Sequence, residues 1–450
     1  MAHIAPFRAL RYDSARVRLP EVVTQPYDKI TSDMQERYHA ASPHNLVRII
    51  LGKAQDGDNK DHNVYTRAAE SFRTWRSQGI FLQDPKPAIY PYFQRFVAPG
   101  TKQEKERRGF IALGRLEDYS ANVVYRHEQT LSKPKADRLE LLRSTRAHFG
   151  QIFMLYSDPA GELDNLLMSA SSPEIELTDE YQVLHQVWNI ADPSQLSLIA
   201  GKMKDKKLII ADGHHRYETA LNYRNERRAM AATAAVGGVP RERSSSGVGH
   251  SLEDAPYEMV MMTFVNMDSP GLEILPTHRV VHGLEGFSAE TFRETARKYF
   301  SVEEVDANIT AERAAAILRQ AGQTGTAIVA VTGTRAFLLD RPPGTASALL
   351  QGVSLRQQAL DVVQLHKVVL ESVLGLSEDS IREQRNIRYI RDAREALAQV
   401  REGSADIAFL MNPVRMAQVR DIAFSGDVLP QKSTDFYPKL LSGLTIYALE

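Results

Sequence analysis

The chain has no cysteine in 450 residues. That excludes disulfides, a thiolate nucleophile and any zinc site built on sulfur, and it suits a reducing compartment. Net charge is also nearly absent, with 55 lysines and arginines against 56 aspartates and glutamates. A protein that binds duplex nucleic acid collects phosphates with a basic field, so nucleic acid is not the expected partner. Long apolar runs are missing, and none approaches the roughly 18 residues that span a bilayer. The opening Met1-Ala2-His3-Ile4-Ala5-Pro6-Phe7-Arg8 lacks the basic and apolar regions of a secretory signal. The expectation is a cytoplasmic protein with no membrane partner. No repeat of about 20 to 50 residues is visible, which argues against a solenoid. Oligomeric state is not legible.

What is present is enough chain for more than one core. Pro26-Tyr27-Asp28 reads as a turn, Asn45 to Ile50 as a strand, and Val64 to Gly79 as a helix closed by its glycine. Ala88 to Phe96 and Arg108 to Leu116 read as strands, residues 136 to 147 as a charged amphipathic helix, and Gln151 to Tyr156 as the next strand. A helix from Pro193 to Lys204 precedes a strand at Leu208 to Ile210. Ala229 to Asp254 is rich in Ala, Gly and Ser and reads as a mobile excursion, because Met259 to Asn266 looks like a strand returning to the same sheet. Further on, helices at Ala289 to Phe300 and Ala311 to Ala321 alternate with strands at Thr326 to Thr332 and Ala405 to Met411. The fold class expected is α/β or mixed α+β. Three parts are expected: an α+β domain at 1–177, a core at 178–285 with a loop at 229–254, and an α/β domain at 286–450.

Residues 207–219, Lys-Leu-Ile-Ile-Ala-Asp-Gly-His-His-Arg-Tyr-Glu-Thr, place an apolar strand before an Asp-Gly turn and a helix start. Gly213 permits the tight turn, and Tyr217, Ala220 and Leu221 face inward. N–H groups at a helix start lack internal partners and carry the positive end of the dipole, so an anion is stabilised there. With His214, His215 and Arg216 beside it, a phosphate is the natural guest, since Arg offers two parallel donors.

Three more polar clusters sit at loop-like positions: His127-Glu128-Gln129-Thr130 with Lys133, Lys135, Asp137 and Arg138; Thr277-His278-Arg279; and Gln431 to Lys439. Together they supply what phosphoryl transfer needs, namely cations for phosphates, a carboxylate for Mg²⁺ and a carboxylate to accept a hydroxyl proton. Glu128 is the first choice for the base and Asp212 for the metal. Glu218, a turn beyond the His pair, is read as orienting Arg216. A zinc site made from His127, His214, His215 and His278 is the rival use of these residues, disfavoured because adjacent histidines rarely both reach one ion.

The box Ala211-Asp212-Gly213-His214-His215-Arg216-Tyr217-Glu218-Thr219-Ala220-Leu221 resembles the hallmark of a prokaryotic family labelled as a domain of unknown function. The resemblance extends over almost the whole chain, through Ile4 to Tyr12, Gln25 to Asp28, Arg126 to Thr130, Ile274 to Arg279 and Lys432 to Lys439. More distantly, the box resembles the phosphate motifs of ParB partition proteins and of sulfiredoxin, which share a small α/β nucleotide-binding fold. That resemblance implies a ParB/sulfiredoxin-like core. In it His214 stands where sulfiredoxin has its catalytic Cys, and His215 and Arg216 match the phosphate-binding pair. Without the thiol, sulfinic-acid repair is excluded. The superfamily also includes kinases of free serine, which implies a kinase using ATP or ADP with Mg²⁺ on the hydroxyl of a small polar metabolite. On that reading Glu128, Asp212 and His214 carry the catalysis. Gly213, His215, Arg216, Thr277, His278, Arg279, Lys432 and Lys439 hold the nucleotide. The alternative is a ParB-like nucleotide-gated regulator or DNA-associated clamp, although no clean helix-turn-helix follows residue 229.

Overall fold

The structure is a computed structural model that describes residues 1–128, 132–168, 171–236, 255–341 and 348–450. The chain is mixed α+β and forms two compact units. The first comprises Met1–Tyr125, Thr130–Glu273 and Pro438–Glu450, and the second Arg126–Gln129 with Ile274–Tyr437.

A nine-stranded sheet organises the first unit. Edge to edge its strands are Val124–Tyr125, Leu208–Asp212, Ile152–Tyr156, Met259–Asn266, Glu104–Arg115, Tyr90–Val97, Leu184–Val187 and Ile175–Thr178, with Ile4–Ala5 paired to Gly114 and Leu113. Residues expected to fall in two separate parts, on either side of 177, thus contribute strands to one sheet. The strand Met259–Asn266 does return to it, lying parallel to Ile152–Tyr156 and antiparallel to Glu104–Arg115. Central strands such as Ile152–Tyr156 are buried along their whole length, as continuous apolar runs covered on both faces should be. One face packs Phe110, Met154, Ile210 and Phe264 against Tyr217, Ala220 and Leu221 of the long helix His214–Val236. A second cluster gathers Phe72 and Trp75 of helix Val64–Ser77 with Phe81, Phe149 and Ile446.

Two local expectations are corrected. Asn45 to Ile50 is not a strand: Asn45 Oδ1 accepts the Val47 N–H at 2.9 Å and starts a short helix, Val47–Ile50. So short a segment carries no periodicity that separates helix from strand, and the Asx turn at Asn45 decides it. Ala229 to Val236 is not loop but the end of helix His214–Val236, which its alanines and Met230 favour by intrinsic propensity. Residues 237–254 of the expected loop lie outside the described residues, as do Gln129 and Thr130.

The second unit is built on a six-stranded sheet in the order Ser301–Val305, Ala336–Arg341, Thr326–Thr332, Ile407–Met411, His278–Val281 and Ile387–Ile390, antiparallel throughout. Helices Ala311–Ala321 and Ala393–Arg401 bury Ala314, Leu318, Leu397 and Val400 against Val280, Val329 and Leu410. Among the described residues no helix is long and apolar enough to cross a membrane.

Candidate functional site

Strand Leu208–Asp212 ends on a register shift between Ile210 and Asp212, a bulge that re-aims the last side chain. Gly213 then takes φ +92°, where a Cβ would lie 3.0 Å from Arg216 Nε. Helix His214–Val236 begins at once, and the Tyr217 N–H donates to the Gly213 carbonyl at 2.9 Å. Its opening direction is fixed from below, because Tyr217 is fully buried and its hydroxyl donates to the Glu117 carbonyl at 2.7 Å.

Arg216 does not point out as an unencumbered phosphate fork. Its Nη2 donates to Asp212 Oδ2 at 2.9 Å and its Nη1 to the Gln151 carbonyl at 2.6 Å. Gly150 gives the guanidinium room on the other side, where a Cβ would come within 3.2 Å of Nη1. Glu218 does not orient it either, since Glu218 pairs with Lys135.

Asp212 is the centre of a cationic group. Burial alone would raise its pKa, but Lys439, Arg216, Lys29 and His214, in that order, hold it far below the usual carboxylate range. Three permanent cations thus act on this one carboxylate. Lys439 is buried, and its segment is pinned by Gln94, whose Nε2 donates to the Lys439 carbonyl at 2.9 Å. Lys29 comes from the turn Tyr27–Lys29. Tyr27 in that turn is pushed up to about 12 by burial first, then by Asp28, against the pull of Arg138 and Arg216. The Arg138 guanidinium lies 4.2 Å from its ring centroid. Tyr27, Arg138, Gly150, Arg216, Thr219 and Ser442 line a cavity of about 70 Å³, room for several waters or one small anionic group. Three polar atoms here have no hydrogen-bond partner among the described residues: Thr219 Oγ1 and both amide atoms of the buried Gln151.

These surroundings do not suit a magnesium ion on Asp212. The Asp212 carboxylate is already compensated by cations, and no group of three or more His, Asp or Glu able to hold a metal exists among the described residues.

The other expected residues belong to the second unit. Glu128 Oε1 accepts both the N–H and the hydroxyl of Thr434 at 2.9 Å. His278 is buried, and its Nδ1 accepts the Met411 N–H at 3.2 Å. Burial first, then Arg279, lowers its pKa to about 4. Arg279 bonds the carbonyls of Thr277 and Lys432. Lys432 itself is exposed with φ +58°. The expected residues therefore gather as two sets. Asp212, Gly213, His214, His215, Arg216 and Lys439 fall in one unit; Glu128, Thr277, His278, Arg279 and Lys432 fall in the other. Sequence reasoning missed Lys29, Gly150, Gln151 and Ser442, though Pro26-Tyr27-Asp28 stood out as a turn.

Fold and site define an α+β protein with a cationic strand-to-helix turn. The chain belongs to the family described as "Protein of unknown function (DUF1015)", which matches residues 4–363. No curated protein matches the sequence. Among solved structures it is similar to a conserved hypothetical protein from Pyrococcus furiosus, at 11% identity over 75% of this chain and 95% of that one, TM-score 0.36. It is also similar to a free serine kinase in complex with AMP, at 12% identity over 74% and 92%, TM-score 0.35. A third is SbnI with C-terminal truncation from Staphylococcus aureus, at 10% identity over 75% and 87%, TM-score 0.36.

Proposed function

We propose that this chain is a phosphotransferase that holds the phosphates of ATP or ADP at the start of helix His214–Val236 and passes a phosphoryl group to the hydroxyl of a small polar metabolite, with free serine the first acceptor to test. The observation that carries this reading is the convergence of Lys439, Arg216 and Lys29 on Asp212 at a helix start. Lys29, Lys439 and the first-turn N–H groups of His215 and Arg216 grip the phosphate oxygens, and His214 adds to the field. Arg216 acts mainly through its charge, since Asp212 and Gln151 already hold its Nη atoms. In the transfer, the acceptor oxygen bonds to the terminal phosphorus as the bond to the nucleotide's bridging oxygen breaks, and the hydroxyl proton goes to a carboxylate. Glu128, the base expected from the sequence, lies in the second unit with its Oε1 held by Thr434, and no role in this step is assigned to it. No step is routed through Mg²⁺. The ParB/sulfiredoxin resemblance of the box implies the same use of this turn.

The test follows phosphorus by ³¹P NMR, with ATP or ADP and serine or other hydroxyl metabolites, with and without Mg²⁺. A new phosphomonoester signal that is lost together with nucleotide binding in Lys29→Met supports the full reading. Binding of CTP alone with no transfer would replace it with nucleotide-gated clamping, and no nucleotide binding at all would refute it.

A further inference from the structure

The second unit contains a larger cavity, of about 260 Å³, at the end of its sheet. There the start of strand Thr326–Thr332, the end of Ile407–Met411 and the start of His278–Val281 come together, because both flanking strands run antiparallel to the central Ile407–Met411. The volume lies below the roughly 300–1,000 Å³ of pockets for drug-sized ligands, so the guest it fits is a small metabolite.

Its charged lining consists of Arg279, Arg319, Arg415 and Asp361. Arg319 and Arg415 are exposed, and neither has a carboxylate within ion-pair distance among the described residues. Arg279 is 1% exposed, with its guanidinium 5.3 Å from the Tyr389 ring centroid. Its Nε has no partner, and it forms no ion pair among the described residues. Burial lowers its pKa to about 10, with Tyr389 and Glu128 acting the other way, so it stays charged at neutral pH. A buried cation with an unused donor is costly unless something anionic meets it. The one acid of the lining does not cancel these charges. Burial pushes Asp361 up to about 7, against the Ala327 N–H, Arg415 and the Asn412 amide, so near neutral pH it is a hydrogen-bond donor for much of the time. Asn412 is itself placed by donating to the Leu318 carbonyl at 2.8 Å. Gly322 leaves it space, since a Cβ there would stand 2.5 Å from Asn412 Nδ2.

We infer that this cavity is a second binding site, for a small organic anion whose carboxylate or phosphate is held by Arg279, Arg319 and Arg415 while Asp361 and Asn412 bond its polar remainder. The inference is independent of the reading of the first unit, because every lining residue lies in the second.

Isothermal titration of the full chain with inorganic phosphate and, separately, with malonate tests it in wild type, Lys29→Met, and an Arg319→Gln/Arg415→Gln variant. Both arginines are exposed, so the double variant should fold. The expected result is an anion-binding event that persists in Lys29→Met and weakens at least about tenfold in the double variant, the loss of one or two charge-assisted hydrogen bonds. Phosphate alone binding assigns a phosphoester, malonate alone a carboxylate, and both a site that reads charge only. Binding that vanishes in Lys29→Met, that is unchanged in the double variant, or that is absent for both probes overturns the inference.

Discussion

Arg216 reaches back one helical turn to Asp212, Nη2 to Oδ2 at 2.9 Å, while its Nη1 donates to the Gln151 carbonyl 65 residues earlier in the chain. The pair ties the end of a strand, the start of a helix and a neighbouring loop into one rigid corner. Replacing Arg216 with Gln should therefore lower unfolding free energy by about 1.5–3 kcal/mol, the usual worth of charged hydrogen bonds. Urea denaturation reads this directly. Arg216→Lys, which keeps the charge but loses the fork, should lose less. A change within about 0.5 kcal/mol would match an ordinary surface substitution and remove the corner from the account.

The turn should resist side chains. Gly213 sits at φ +92°, and a Cβ there meets Arg216. Gly213→Ala should cost about 1–2 kcal/mol from backbone strain alone and should weaken nucleotide binding as well, because the helix start shifts. Gly150→Ala, at an ordinary φ but 3.2 Å from Arg216 Nη1, should perturb binding with a smaller loss of stability. Paired thermal melts and titrations distinguish the two, and a neutral Gly213→Ala would contradict the geometry.

Acid should destabilise the second unit through His278. Its ring stays neutral in the folded chain down to about pH 4, whereas the unfolded chain takes up a proton near 6.5. Between those values the unfolded state binds more protons, so the contribution is complete above pH 6.5 and is lost as pH falls through about 4. His278→Asn should flatten this limb by up to about 3 kcal/mol. Asp361 acts in the opposite sense: its folded value of about 7 lies above the 3.8 of the free group, so its contribution is complete below 3.8 and is lost as pH rises through 7. Asp361→Asn should therefore gain stability relative to wild type on going from pH 5 to pH 8. Urea midpoints across this range check both signs, and parallel wild-type and variant profiles would refute the assignment.

Elements whose own residues decide them were legible in the sequence. Helix Ala311–Ala321 and strand Thr326–Thr332 end at the residues that periodicity marks. The Asp-Gly turn and helix start at residues 212–214 were legible too, because glycine chemistry is local. Short segments were not: Asn45 to Ile50 depends on one Asx turn, and the end of helix His214–Val236 on propensity outweighing composition. Least legible were partners distant in the chain. Lys29 stands far from Asp212 in sequence, and nothing about a lysine after a Pro-Tyr-Asp turn announces that it faces a carboxylate. Likewise Gly150 gains meaning only from the guanidinium packed beside it. Strand order had the same limit, since pairing of Ile4–Ala5 with Leu113 and Gly114 is a tertiary fact.

The phosphate reading depends on Lys29, one of the cations that act on Asp212. Isothermal titration of ADP and ATP into wild type and Lys29→Met, with melting temperature followed in parallel, tests it most directly. Wild type should bind nucleotide, and Lys29→Met should lose about tenfold or more in affinity at a temperature where its melt shows it folded. Equal nucleotide affinity in the two proteins, or no binding by either, would contradict it.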